Sequence, residues 1–335
     1  MAKILLIQTA FIGDAVLATA LQEKIHTWDS TIEIHWLVRE GNESLWQDHP
    51  YVKKVWVWHK QKQKYLELFR LIKAIRKERY QKVINVQRFA ATGLLTIFSA
   101  AKETIGFDKN PFSRFFTTVI KHHISTGDQP LHETERNQLL IAGFTDAIPA
   151  KPKLYPTASH YQKIAGYQSK PYICLAPASV WFTKQFPADQ WVSLIDSIPP
   201  VYTVYLLGAP SDRKWCDQIV RSAAKGNTTN LCGLLSLLES AALQSGAVMN
   251  YVNDSAPMHF ASAMNAPVTA IYCSTLPAFG FGPLSDNRHL VQTTHSLSCR
   301  PCGLHGKMAC PEKHFQCAST ITTQQLLYTL PNFTN

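Results

Sequence analysis

The feature that most constrains this chain is an alternation. Short β-branched and aliphatic runs recur at 3–8, 32–38, 52–58, 82–87 and 103–106, with helical patterns at 14–27, 42–48, 61–79, 90–100 and 132–142. Parallel strands need a long crossover to connect them, so alternation of this kind builds parallel sheets covered by helices. Residues 106–125 break the pattern, and there only Phe115 to Ile120 reads as an edge strand. At 145–162, "TDAIPAKPKLYPTASHYQ", three prolines and a lack of periodicity mark a linker. The alternation then restarts, with strands at 172–176, 203–208, 229–233, 247–252 and 268–273 and helices at 188–197, 211–225, 236–245 and 256–264. The expected fold class is α/β: two Rossmann-like domains with parallel sheets, at 1–150 and 165–335, facing a central cleft. The last helix is placed to pack back onto the first domain. Ligands of such sheets bind beyond the carboxyl ends of the strands, which directs attention to the loops between strand and helix.

Three of those loops carry chemistry. In "IQTAFIGDAV" an apolar run hands over to a helix at Asp14. The single Gly13 falls short of the G-x-G-x-x-G of a dinucleotide fold. Asp14 suits a helix N-cap, and it equally suits a general base, since a helix N-terminus favours the ionised carboxylate. "APASVWFTKQFPADQW" sets Ser179, Thr183 and Lys184 ahead of a helix. Hydroxyls, loop amides and an ammonium fit a phosphate or pyrophosphate there, although an ordinary connecting loop has the same look. "YVNDSAPMHF" delivers Asp254 and Ser255 to a helix start, with Pro257 in its first turn and His259 one turn in. Its amides can bind an anion, and His259 either supports that site or is structural.

Composition excludes several classes. The 335 residues are 46% hydrophobic and 17% charged, with no low-complexity tract, which is a globular composition. A formal charge of +10 and a pI near 9.2 favour anionic partners. No nucleic-acid-binding signature is present. The basic stretch 59–82 reads as an amphipathic helix, either solvated or turned toward an anion or a membrane surface. No apolar run reaches the ~18 residues of a membrane span, and the N-terminal run lacks a signal-peptide pattern, so a cytoplasmic protein is expected. Of eight cysteines, Cys174, Cys216, Cys232 and Cys273 are expected in the core. Cys299, Cys302, Cys310 and Cys317 cluster, with His305 and His314 between them. A C-x2-C-G knuckle can wrap a tetrahedral Zn or Fe; free thiols and disulfides remain the other readings.

Taken in order, "IQTAFIGDAVLATAL", "SVWFTKQFP", "LLGAPSD" and "NDSAPMHFASAMNAPVTAIYCSTLPAFGFGPLS" resemble glycosyltransferase family 9, the ADP-heptose:lipopolysaccharide heptosyltransferases, across some 280 residues. The cysteine-rich segment is similar to that of heptosyltransferase II-like members. The resemblance implies a GT-B fold, with acceptor held by the first domain and nucleotide sugar by the second. It also implies metal-independent, inverting transfer of a heptose from an ADP-sugar to an anionic inner-core lipopolysaccharide acceptor at the cytoplasmic face of the inner membrane. By the same resemblance Asp14 is the catalytic base and Thr183 and Lys184 are phosphate contacts. Asp254, Ser255 and His259 then surround the diphosphate and sugar, with Ala256 standing where the family usually has glycine. Asp212 and the segment 233–239 would lie on the ribose and adenine side. Lys184 and the amides at 255–257 would stabilise the departing ADP.

The competing readings are another GT-B nucleotide-sugar enzyme, such as an N-acetylglucosamine transferase or an epimerase, and a non-catalytic nucleotide-sugar-binding protein. Asp14 together with Lys184 weighs against the second, since a pure binder has no use for a base. A dehydrogenase is disfavoured by the missing glycine pattern, although Glu40 after the second strand partly imitates a ribose-binding acid.

Overall fold

The structure is a computed structural model that describes residues 2–60, 64–124 and 130–331. It divides into two compact units, Met1–Tyr155 and Pro156–Asn335. The first contains β1 (Lys3–Gln8), α1 (Ile12–Trp28), β2 (Glu33–Arg39), β3 (Val52–Trp58), α2 (Lys64–Glu78), β4 (Lys82–Asn85), α3 (Ala90–Phe98), β5 (Glu103–Phe107), β6 (Thr118–Ile120) and α4 (Glu133–Gln138). All six strands are parallel, in the order β3-β2-β1-β4-β5-β6. The strand order reverses between β1 and β4, which puts the loop after β1, and with it Asp14, at the switch point where α/β sheets bind ligands.

The second unit runs α5 (Ala158–Ile164), β7 (Tyr172–Ala176), α6 (Ala188–Ser197), β8 (Thr203–Leu206), α7 (Arg213–Ser222), β9 (Thr228–Asn230) and α8 (Leu237–Ser245). It continues with β10 (Met249–Asn253), α9 (Ala256–Ala263), β11 (Val268–Tyr272), β12 (Arg288–Gln292), α10 (Gln316–Ser319) and α11 (Thr323–Leu327). Its order is β12-β11-β10-β7-β8-β9, again all parallel. Counting from the first strand of each unit, the two sheets have one topology. The second switch point lies between β7 and β10, the strands that carry the Lys184 and Asp254 loops.

Burial explains why the pattern was readable. Strands β7, β10 and β11 are buried at every position, as expected for parallel strands covered on both faces. Their side chains pack with Trp191 and Phe186, whose rings meet edge-on at 5.3 Å. Cys174, Cys216, Cys232 and Cys273 are buried, reduced and part of the apolar interior. In the first unit, Gly106 on β5 is required by packing: a Cβ there would stand 2.5 Å from Phe116 Cε2.

Several elements differ from the sequence expectation. Strand β12 had no counterpart, because only Val291 among its five residues is buried and no apolar run marks it. The helix expected at 42–48 is a single 3₁₀ turn, Glu43–Trp46. The pattern at 61–79 gives α2 from Lys64, while residues 61–63 lie outside the described residues. The edge strand expected at 115–120 is β6, of three residues. The stretch 145–162 is anchored as well as connecting: Lys153 N donates to Thr19 Oγ1 and Tyr155 OH to Glu23 Oε2, while α5 forms at its end. Helix α11, the last described, packs on α6 of its own unit, with a Ser193–Thr323 hydroxyl pair at 2.8 Å.

Candidate active site

The first unit offers a carboxylate at its switch point. Helix α1 begins at Ile12, with Phe11 as an N-cap that makes no side-chain capping bond. Asp14 is therefore not the cap but the third residue of the helix, where α1 places a half-buried carboxylate in the field of its N-terminus. The preceding loop is held from several sides. Lys60 Nζ donates to Thr9 O at 2.7 Å and to Thr9 Oγ1 at 3.1 Å, and Asn42 Nδ2 donates to Ala10 O at 3.2 Å. Beneath them Gln87 Nε2 donates to Gln8 Oε1. Lys60 escaped the sequence reading because it was absorbed into the basic stretch 59–82; its position just after β3 was the available signal.

The second unit assembles its residues more tightly. Lys184 ends a 3₁₀ turn, Phe182–Lys184, in the loop after β7. Its Nζ stands 2.7 Å from Asp254 Oδ2, the two side chains being 14% and 8% exposed. Thr275 Oγ1 donates to the same carboxylate oxygen at 2.6 Å. Asn253, the last residue of β10, ties the two loops: Phe186 N donates to its Oδ1 at 3.1 Å, and its Nδ2 donates to Pro177 O. Ser179 lies half-buried in the same loop, its carbonyl accepting from Gln185 Nε2 at 2.6 Å.

Helix α9 starts directly after Asp254, with Ser255 in extended backbone as the N-cap and proline in the first turn. Ala256 is the first helical residue and is absent from the positive-φ positions. Alanine is therefore unstrained where the resembled family usually has glycine. Pro257 has no N–H, so it cannot share in anion binding as the amide set 255–257 required. It preorganises the helix start, leaving the amides of Ser255 and Ala256 as donors. His259 is buried on the same helix.

Thr183 behaves differently from its neighbour. It is buried, and its hydroxyl accepts from Lys307 N at 2.8 Å and from Ser274 Oγ at 2.9 Å. Its side chain acts within the fold, whereas the Lys184 side chain is 14% exposed and faces Asp254. Asp212 is likewise engaged locally, accepting from Ala209 N at 2.8 Å and thereby closing the turn after β8. In 233–239, Ser236 and Glu239 form a reciprocal capping box at the start of α8, and Glu239 also pairs with Lys163 at 2.9 Å. Both contribute chiefly to shaping their loops.

Cys299, Cys302, Cys310 and Cys317 line one cavity of about 150 Å³, together with Thr183, Lys307, His314 and Phe315. Cys299 Sγ is 3.8 Å from His314 Nε2. Burial raises the thiol of Cys317 to about 11 and also raises that of Cys302, and the neighbouring thiols push the same way. Among the described residues no three His, Cys, Asp or Glu side chains are grouped so as to hold a metal ion. The donor set suits a soft metal; the spacing does not.

A family model described as glycosyltransferase family 9 (heptosyltransferase) matches residues 68–314. The chain is similar to a lipopolysaccharide heptosyltransferase 1 of Campylobacter coli, 21% identical over 351 aligned positions that span 97% of each chain. Its fold is similar to the solved structure of Escherichia coli ADP-heptose lps heptosyltransferase II, with a TM-score of 0.80 and 20% identity over 98% of this chain and 97% of that one. It is also similar to a family 9 glycosyl transferase from Veillonella parvula, with a TM-score of 0.83 and 18% identity over 98% and 96%.

Proposed function

The chain belongs to glycosyltransferase family 9, and from that premise we propose that it transfers a heptose from ADP-heptose to a hydroxyl of an inner-core lipopolysaccharide acceptor, with inversion at the anomeric carbon. The observation that carries the reading is Lys184, held by Asp254 beside the N-terminus of α9. A nucleoside diphosphate needs such a site. The pair keeps the ammonium oriented without donor, and two of its three N–H groups stay available for phosphate oxygens.

Asp14 takes the proton of the acceptor hydroxyl as its oxygen attacks the anomeric carbon. The bond from that carbon to the β-phosphate oxygen breaks, and negative charge grows on the departing ADP. Lys184 and the amides of Ser255 and Ala256 stabilise that charge, which is larger in the transition state than in the bound donor. No step is routed through a metal. A Zn or Fe ion at Cys299, Cys302, Cys310 and Cys317 would have to draw the four thiols together, and would then fill a closed thiolate shell and be structural. Elemental analysis reads this directly: one ion per chain supports it and none removes it.

The anionic acceptor accords with the formal charge of +10. Helix α2 exposes Tyr65, Leu66 and Phe69 beside Arg70, Lys73, Arg76 and Lys77, a composition suited to the anionic cytoplasmic leaflet of the inner membrane. Co-sedimentation with phosphatidylglycerol vesicles should fall in Phe69→Glu. The central test is incubation with ADP-heptose, UDP-sugars and a panel of defined core acceptors, with products read by mass spectrometry. Heptosylated product from ADP-heptose alone is the expected result; turnover of a UDP-sugar instead would overturn the donor assignment.

A further inference from the structure

The cysteine-rich segment is bound to the back of the lysine loop by contacts that involve no thiol. Thr183 N donates to Lys307 O at 3.1 Å while Lys307 N returns a bond to Thr183 Oγ1 at 2.8 Å. Phe182 and Phe315 stack with ring centroids 5.1 Å apart. Cys302 N donates to Ser274 O at 2.9 Å, and Ser274 Oγ donates to Thr183 Oγ1. Arg300 reaches the carbonyl of Thr275 at 2.8 Å, the residue whose hydroxyl holds Asp254. Gly306, at φ +78°, passes so close that a Cβ would lie 3.0 Å from both Lys184 Cγ and Thr183 Oγ1. The face that grips the loop and the face that carries the thiols are two sides of one thin segment, because Thr183 itself lines the thiol cavity.

We propose that residues 299–317 form a clamp that positions Lys184 for the donor, and that covalent modification of the cavity thiols is transmitted through Thr183 to donor affinity. Thr183 is then a positioning residue. A group added at Cys302 or Cys310 enlarges the contents of a cavity that has Thr183 and Lys307 in its wall, and the wall moves by breaking their mutual bonds. Coupling of this kind is reciprocal, so a bound donor must alter thiol reactivity by the factor through which modification alters donor affinity. The inference rests on the ADP-heptose reading only for the identity of the ligand that Lys184 meets.

Two glycines make the test specific. Gly306→Ala and Gly303→Ala both force alanine into left-handed backbone, at φ +78° and φ +74°, but the added methyl meets Lys184 and Thr183 only at 306 and open space at 303. By calorimetric titration with ADP-heptose, Gly306→Ala should raise the Kd about tenfold, a typical cost of misplacing one charge-assisted hydrogen bond, and Gly303→Ala less than about threefold. KM for acceptor should be unchanged in both. Equal effects from the two variants, or none, overturn the clamp.

A donor-free arm keeps the clamp testable if ADP-heptose proves to be the wrong ligand. N-ethylmaleimide adds a thiol across its double bond, the sulfur–carbon bond forming as the proton goes to the adjacent carbon. Thr183→Val deletes the acceptor for Lys307 N and should speed labelling of Cys302 and Cys310 several-fold, with Thr183→Ser restoring the wild-type rate. An unchanged labelling rate in Thr183→Val sinks the proposal. Failure of the wild type to bind ADP-heptose sinks the donor reading and leaves this arm to decide.

Discussion

Breaking the Lys184–Asp254 pair from each side should separate stability from chemistry. The 2.7 Å contact joins side chains that are 14% and 8% exposed. Removing one member of a buried pair costs roughly 3–5 kcal/mol because the other charge stays behind; the residual exposure of Lys184 admits water and lowers the expectation to about 2–3 kcal/mol for Lys184→Met. That corresponds to a fall in Tm of roughly 4–12 °C for a unit of this size. Asp254→Asn should lose a similar amount. With both charges gone nothing is left unpaired, so the double variant should lose about 1 kcal/mol or less, a coupling of roughly 3 kcal/mol or more. Activity should not follow stability. Lys184→Met and the double variant should both lose about 10²–10³-fold in kcat with ADP-heptose, the usual loss on deleting one stabiliser of developing charge. Calorimetry and donor-dependent turnover measured on the same preparations decide the matter. Additive stability losses would show that the ion pair is not formed; recovery of turnover in the double variant would show that Lys184 serves the fold alone.

Other outcomes follow from single positions. Asp14→Asn should lower kcat about 10²–10⁴-fold while leaving the Kd for ADP-heptose unchanged, and near wild-type turnover would remove the base assignment. Gly106→Ala should destabilise the first unit by about 1–3 kcal/mol, since the new methyl meets Phe116 and, at 3.2 Å, the carbonyl of Asn85; an unchanged Tm would contradict the packing. Burial, with a smaller push from His26, lowers His49 to about 4 from an ordinary 6.5. As pH falls the unfolded chain takes up that proton first, so stability present above about 6.5 is lost progressively down to about 4. In His49→Gln, urea unfolding across that window should show a flatter dependence, and an unaltered slope would assign the loss to other groups.

The architecture was legible because parallel strands covered on both faces leave uninterrupted apolar runs, as in "KILLI" and "YICLA". Edges were not: β12 shows solvent four of its five residues, so its sequence carries no run to find. The loops were legible in kind, and Lys184 and Asp254 meet at ion-pair distance. What residue type alone could not reveal was allegiance. Thr183 and Lys184 are neighbours of similar polarity, yet one hydroxyl is consumed by Lys307 and Ser274 while the ammonium faces Asp254. That difference depends on a segment more than a hundred positions away. Pro257 was misjudged for a simpler reason: a helix start was credited with an amide that the residue lacks.

The repeated strand order has a consequence for how such a chain can change. Every ladder bond joins strands of the same half, and Tyr155 is fastened backward to Glu23 while α5 packs forward on α8. A genetic crossover placed between Tyr155 and Ala158 would cut neither sheet. Halves inherited from different ancestors could thus be spliced there, each arriving with its own sheet and switch-point loop intact.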